Sequence, residues 1–242
     1  MRMRPVALVF VVLLAGCGRR GETPGISGQD VASPGPIGHR DSLMNSIKPE
    51  LKQWVAMWRA ALPGFQVDSL RSQPRERWTP VAVQGLESDP DSTRAIMLGV
   101  QSPDECRILD IDSYQWFRIN GDSVEVGGEP DSRPRLFDYN ARTVASVAFC
   151  GTPCGYHWGR WLSPDQFVLG GWEDADELGR SKKGALFVYD LRDSTVASYE
   201  TRVVSSEDYE RYFAAWKRWL IERTRDSSSV CRAPPSCGPW RL

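Results

Sequence analysis

Cys150, Cys154 and His157 form the one close cluster of soft metal-ligand side chains in this sequence. Zinc or copper would need these thiolates and this imidazole to converge on one point. The spacing differs from the C-x-x-C-H pattern of haem attachment and from the C-x-x-C redox pattern. Two cysteines this close together favour a disulfide in an oxidising compartment. We therefore predict a Cys150–Cys154 disulfide and neither a metal nor a cofactor.

The other cysteines admit more than one pairing. Cys231 and Cys237 bracket a turn that contains two prolines, which predicts a second local disulfide. Cys106 would then be a buried free thiol. A rival pairing joins Cys106 to Cys150 or to Cys154, and the spacing leaves both schemes open.

Four aromatic residues, Tyr156, Trp158, Trp161 and Trp172, lie close together along the chain. Exposed on one surface, they would form a platform for a sugar or a peptide, whereas buried they would belong to the core. Because neighbouring residues of a strand alternate between its two faces, only part of the set can face one side. This alternation favours core packing.

Acidic side chains follow directly, at Glu173, Asp174, Asp176 and Glu177. They are the hard oxygen ligands that Ca²⁺ prefers. The sequence lacks the Asp-x-Asp-x-Asp-Gly series of a calcium-binding loop, so we predict a solvated hairpin loop.

Signatures of nucleophilic catalysis are missing from the sequence, which has neither Gly-x-Ser-x-Gly nor a phosphate-binding glycine loop. One of the two histidines, His39, lies in a Gly- and Pro-rich segment without neighbours that would support a metal or base role. We predict that the protein is not an enzyme. A hydrolase that uses a pair of carboxylates is the alternative.

The first residues have the layout of a secretion signal. Arg2 and Arg4 precede an apolar run, Val6–Ala15, that is too short to span a bilayer. The small residues before Cys17 resemble the lipobox of bacterial lipoproteins. That resemblance implies removal of residues 1–16, acylation of Cys17 and, because Gly18 follows, release to the outer membrane. An ordinary signal peptide or a buried apolar strand is the alternative.

Basic and acidic residues nearly balance, with 30 Lys and Arg against 31 Asp and Glu. They are interspersed, so no basic patch indicates a nucleic-acid partner. Residues 17–42 are rich in Gly, Pro, Ser and charge and are predicted to be a flexible tether. Residues 43–226 are predicted to form one domain, and residues 227–242 a Cys- and Pro-rich tail.

A helix is predicted at each end of the domain. Ser46 is the expected cap of the first, and Ser205 with Asp208 forms a capping-box pattern for the second. Their apolar stripes include Trp58 and Trp216, which we expect to be buried against a sheet or against each other. A membrane-surface role for the first stripe is the alternative, but its polar face carries mixed charges.

Between residues 78 and 204 the apolar period changes to two, which predicts antiparallel strands joined by short turns. The predicted strands are Ala95–Gln101, Arg107–Asp112, Gln115–Asn120, Ser123–Gly127, Arg135–Tyr139, Val144–Phe149, Trp158–Leu162, Gln166–Trp172, Ala185–Leu191 and Val196–Thr201.

A weak repeat occurs within this region. Leu136–Tyr139 and Leu186–Tyr189 are similar, and each is followed by Thr-Val-Ala-Ser. Residues 114–202 thereby resemble blades of WD40 or TolB-like β-propellers. The resemblance implies a four-stranded sheet unit and no particular function, and the strand region is too short for a closed propeller.

Together these patterns predict an α+β fold, in which an antiparallel β-meander of blade-like units is flanked by an N-terminal and a C-terminal helix. The predicted role is a lipoprotein of the outer membrane that faces the periplasm and binds a protein partner without catalysis. A glycan- or peptide-binding domain with an aromatic platform is one alternative, and the carboxylate hydrolase is another. A flat apolar edge would favour the protein partner, an exposed aromatic row the glycan binder, and a cleft with two carboxylates the hydrolase.

Overall fold

The computed structural model describes residues 42–86, 99–111, 115–120, 123–128 and 131–225. These residues belong to one compact unit, Arg40–Leu242. Cys17, Cys231, Cys237 and the predicted tail lie outside the described residues, as does the predicted tether except for its last residue.

The N-terminal helical segment begins earlier than the sequence predicted. It consists of α1 (Ser42–Ile47), a 3-10 turn (Lys48–Leu51) and α2 (Lys52–Ala61). Ser46 lies inside α1, where its hydroxyl donates to the carbonyl oxygen of Leu43. The prediction of Ser46 as a helix cap is therefore wrong.

The C-terminal helix α3 (Ser206–Arg225) begins at the predicted capping box. The backbone N–H of Asp208 donates to Ser205 Oγ at 3.1 Å, and that hydroxyl donates to the Asp208 carboxylate at 3.0 Å. These bonds satisfy a backbone donor that the first helical turn leaves without a partner. None of the described helices combines the length and the apolarity that crossing a membrane requires.

Most of the remaining described residues are in β-strands. They are β1 (Arg71–Ser72), β2 (Glu76–Arg77), β3 (Ala82–Gly85), β4 (Val100–Gln101), β5 (Arg107–Asp110), β6 (Gln115–Asn120), β7 (Ser123–Gly128), β8 (Arg135–Asp138), β9 (Thr143–Ser146), β10 (Cys154–Ser163), β11 (Gln166–Asp174), β12 (Ser181–Asp190), β13 (Thr195–Glu200) and β14 (Val204–Ser205).

The strands form a large sheet, a small sheet and a hairpin. The large sheet has the order β1-β13-β12-β11-β10, with β2 also pairing with β13 and β14 with β12. The small sheet has the order β3-β9-β8-β5-β4, and β6 pairs with β7. Every pairing is antiparallel.

The large sheet is covered on both faces. Val168 of β11 belongs to a core shared with α2 and α3, which we call the helix-side core. Its neighbours Phe167 and Leu169 point to the other face and belong to the core shared with the small sheet, which we call the sheet–sheet core. Because both faces are buried, β11 is apolar at successive positions and does not alternate with polar residues.

The predicted fold class is confirmed: an α+β structure in which antiparallel, meander-like sheets are flanked by an N-terminal and a C-terminal helix. Strands β10 to β13 form a continuous meander in the stretch where the propeller-blade resemblance is strongest. The repeated segments lie in the β8–β9 and β12–β13 hairpins. Strands β1, β2, β3 and β14 were not predicted.

Candidate functional site

The predicted Cys150–Cys154 disulfide is confirmed, with 5.8 Å between the two Cα atoms. Cys150 is buried, and its backbone N–H and C=O both bond to the backbone of Ser132. The disulfide therefore fixes the chain at the start of β10. The described residues contain no group of three or more His, Cys, Asp or Glu side chains placed to hold a metal ion.

Cys106 is also disulfide-bonded, and it is half-buried just before β5. Because Cys150 and Cys154 bond to each other, both the free-thiol prediction for Cys106 and its rival pairing are wrong. The predicted Cys231–Cys237 pair lies outside the described residues.

The four candidate platform residues are divided between the two faces of the large sheet. Trp158 is 2% exposed in the helix-side core, whereas Trp161 is 6% exposed in the sheet–sheet core. Tyr156 packs with the sheet–sheet core, and Trp172 packs with the helix-side core. The four rings therefore do not share one surface, which agrees with the predicted core packing and not with the alternative of a platform. Strand alternation separates Trp158 from Trp161, and the extra residue His157 separates Tyr156 from Trp158.

The predicted acidic loop is held by its own hydrogen bonds. The Asp176 carboxylate accepts from the backbone N–H groups of Leu178 and Arg180 at 3.0 and 3.1 Å, and from the Ser181 hydroxyl. The bond from Ser181, followed by the backbone bonds, lowers the pKa of Asp176. Asp176 therefore acts as the organising residue of a hairpin turn, as Asx side chains commonly do.

Each of the buried carboxylates has a structural partner. Asp110 accepts two bonds from the Arg135 guanidinium, at 3.2 and 2.8 Å. Asp190 accepts from the Gln166 side chain at 2.6 Å and from the backbone N–H of Arg192 at 3.0 Å. Burial by itself raises the pKa of Asp190, but these bonds outweigh it and the pKa is lowered. Both groups are thereby suited to holding strands and turns in place.

His157 occupies an irregularity in the pairing of β10 with β11. Tyr156 pairs with Gly171 and Trp158 pairs with Gly170, so His157 is an extra residue on β10. Such a β-bulge bends the strand and re-aims a side chain. Here the bulge places the imidazole against α3 instead of continuing the alternation.

The His157 imidazole is buried among aromatic rings of α3. It stacks on Trp216 with 4.2 Å between centroids, and it lies nearly parallel to Tyr212 at 6.0 Å. Within the described part of the chain, its Nδ1 atom has no hydrogen-bond partner. Burial lowers the pKa of His157 to about 3, so the ring is neutral at ordinary pH. The sequence considered His157 only as a metal ligand, because no pattern signals a bulge.

Among the described strands, β3 is an edge of the small sheet, and all four of its residues are exposed. Val83 and the adjoining Val81 are each 58% exposed. The backbone N–H of Leu86 donates to the carbonyl of Arg142, which places the hydrogen-bonded positions within β3 at its even-numbered residues. Just before the strand, the backbone N–H of Val81 also donates to β9, to the carbonyl oxygen of Ser146 at 2.8 Å. The backbone groups of Val83 and Gly85 therefore point away from β9, on the side where no described strand pairs with β3.

No protein-family model matches this chain, and comparisons with curated proteins and with solved structures find no match.

Proposed function

We propose that this protein is a lipid-anchored, non-catalytic binding protein of the bacterial outer membrane, and that it takes up an extended segment of a partner protein at strand β3. The observation that carries the proposal is the uncharged, exposed edge of β3. The anchor rests on the sequence around Cys17, with its basic start, apolar run and small residues.

The open edge of β3 has the hydrogen-bonding groups that strand addition requires. Val83 and Gly85 direct backbone N–H and C=O groups outward, as argued from the β3–β9 ladder. An added strand would bond to these groups, and its side chains would cover the exposed Val83. Main-chain bonds would supply affinity, and the side chains of the added strand would supply selectivity.

The composition of β3 also favours an occupant. Exposed edges of natural sheets are commonly protected by charged side chains or by bulges that twist the edge away. The strand reads Ala-Val-Gln-Gly and contains no charge. We infer that the partner segment is extended, uncharged and apolar at the position that faces Val83.

Membrane anchoring would compensate for the small size of this surface. A strand of four residues offers far less than the roughly 800 Å² per partner of a stable protein interface. Two proteins attached to the same membrane meet at a high effective concentration, which raises the occupancy of a weak site. The anchor and the edge strand therefore support one function together.

The anchor is tested by replacing Cys17→Ala in the full chain and labelling cells with a clickable fatty acid. We expect the acyl label to be lost and residues 1–16 to be retained, because the lipidated thiol is the proposed processing signal. The control is a Cys150→Ser, Cys154→Ser double variant, which should keep the label. Wild-type protein in the membrane with Arg2 present and Cys17 unmodified would contradict the proposal.

The docking edge is tested by photo-crosslinking in cells with a photoreactive amino acid at Val81. We expect one adduct with a different protein, and no such adduct from Leu178, an equally apolar position that is 70% exposed. Two further variants of the chain with the photoreactive residue at position 81 test the backbone bond. Val83→Pro removes the outward-pointing N–H of residue 83, and Val83→Thr keeps it. Proline should lower the adduct yield about fivefold, the effect of losing about one hydrogen bond, and threonine should not.

Three outcomes would contradict strand addition at β3. They are equal adduct yields from positions 81 and 178, equal yields for Val83→Pro and Val83→Thr, and an adduct between two copies of this chain. Because the N–H of Val83 does not bond to β9, the proline variant should keep the wild-type melting temperature. An unchanged melting temperature would show that a loss of adduct comes from the altered edge of β3 and not from unfolding.

A further inference from the structure

We propose that His157 is an acid-sensitive latch between helix α3 and the large sheet. In its neutral form the imidazole helps to hold α3 on the sheet, and in its protonated form it releases the helix. The proposal is independent of the membrane anchor and of the β3 edge. It rests on the bulge in β10, on the rings that surround the imidazole and on the Nδ1 atom, which no described residue contacts through a hydrogen bond.

Helix α3 contacts the bulge in two ways. The Trp216 ring stacks on the His157 ring, and the Trp216 Nε1–H donates to the His157 carbonyl oxygen at 2.9 Å. Both contacts involve the same residue of the sheet. A change at His157 therefore acts on the position where α3 is attached to β10.

Four aromatic rings surround the imidazole among the described residues. Tyr212, Phe213 and Trp216 of α3 lie within 6.0 Å between ring centroids, and Trp172 of β11 lies at 6.4 Å. Tyr212 remains a neutral phenol because burial raises its pKa. The ring contacts supply no carboxylate to stabilise an imidazolium.

Charged groups lie behind these rings. Lys182 lies over the Trp172 and Tyr209 rings and forms an ion pair with Asp174. Lys217 lies over the Phe213 ring. Among the described residues none of these groups bonds to the imidazole. Burial is the main cause that raises the pKa values of Tyr156 and Tyr209, and the charges of Glu173 and Glu210 add to these shifts respectively.

Protonation would place a second ring N–H donor in this site, where the described residues offer it no acceptor. Stacking on Trp216 offers the cation a favourable contact, but an unpaired buried charge is costly. The pKa of His157 is depressed in the closed structure and returns toward 6.5 when α3 opens. The state with α3 packed on the sheet therefore has its full stability above pH 6.5. The part of this stability that depends on neutral His157 is lost as the pH falls toward 3. Between these pH values, the equilibrium constant for release of α3 from the sheet, the opening constant, should rise about tenfold for each unit by which the pH is lowered.

The latch is tested by amide hydrogen exchange of the full chain between pH 7 and pH 4.5, with rates corrected for intrinsic exchange. We expect the opening constant of α3 to rise about a hundredfold over this interval, and β12 amides to keep their protection. In His157→Phe, which keeps an aromatic ring without a titrating group, the α3 opening constant should change far less. His39→Gln, a substitution of the other histidine, should respond like the wild type.

A direct titration keeps the proposal testable if His157→Phe fails to fold. In His39→Gln, His157 is the one remaining histidine, so its imidazole resonances can be followed by NMR as the pH is lowered. We expect a pKa well below 6.5 in the folded protein. A pKa of 6.5 or above would overturn the latch, as would the same pH response in wild type and His157→Phe. Simultaneous loss of protection in α3 and β12 would overturn it too, because the opening would then be global.

Discussion

Replacing Trp58→Ala or Trp216→Ala is expected to lower the free energy of unfolding by about 3–5 kcal/mol, the usual cost of deleting a large aromatic ring from a core. Trp58 is 0% exposed and Trp216 is 1% exposed, so the predicted burial of both is confirmed. Trp58 stacks on Tyr212 with 4.3 Å between centroids. Its indole lies so close to Gly184 that a Cβ there would be 2.6 Å from the ring. Little room is available for a different packing arrangement.

Chemical denaturation followed by tryptophan fluorescence and far-UV circular dichroism measures this loss. Leu178→Ala is the matched control, since that apolar side chain is 70% exposed and its truncation should change stability by less than about 0.5 kcal/mol. A loss below about 1 kcal/mol for both tryptophan variants would contradict core packing of the helices. The apolar stripes of α2 and α3 would then have to serve an interaction surface.

Gly171→Ala should destabilise the fold by about 3 kcal/mol, at the upper end of the cost of overpacking. A Cβ at position 171 would overlap the carbonyl oxygen of Gly155 on the neighbouring strand. Backbone cannot rotate away as a flexible side chain can, so β10 and β11 would have to separate. This close approach adjoins the bulge at His157, where Gly171 pairs with Tyr156.

The matched control for Gly171→Ala is Gly151→Ala. A Cβ at position 151 would meet its nearest atoms at 3.7 and 3.8 Å, which is ordinary van der Waals contact. Thermal melts of the two variants should therefore differ by several degrees. Equal melting temperatures would show that the two strands can separate at little cost, contrary to the expectation.

The strands and helices with a strong local pattern were predictable from sequence. The predicted strand Gln115–Asn120 coincides with β6, and the capping box at Ser205 correctly marks the start of α3. In both cases the signal lies within a few neighbouring residues. The repeated Thr-Val-Ala-Ser segments likewise fall on β9 and β13.

The strands that were missed are short and depend on distant partners. β1, β2 and β14 contain two residues each, and β3 contains four exposed residues with no apolar alternation. A strand of this kind exists because another strand pairs with it, and sequence periodicity carries no information about that partner. For this reason the proposed docking edge could not be found from sequence.

The aromatic cluster and the disulfides of the candidate sites also depend on tertiary structure. The sequence put Tyr156 and Trp158 within one aromatic cluster, but the extra residue His157 and strand alternation divide the cluster between two cores. Cys106 shows the same limit, because the spacing of the cysteines left open whether it is disulfide-bonded. Local disulfide spacing, by contrast, correctly identified the Cys150–Cys154 pair.

The pairing of β1 and β2 with β13 has a consequence for the order in which the chain can fold during synthesis. Arg71 pairs with Glu200, and Arg77 pairs with Thr195, so these strands have no partner until the last part of the domain has been made. Helix α2 likewise packs against α3, which is synthesised at the end of the domain. Long-range pairing of this kind delays folding. In a chain that is exported as proposed, α2, β1 and β2 would therefore still lack their partners while the chain emerges from the ribosome, which favours threading across a membrane.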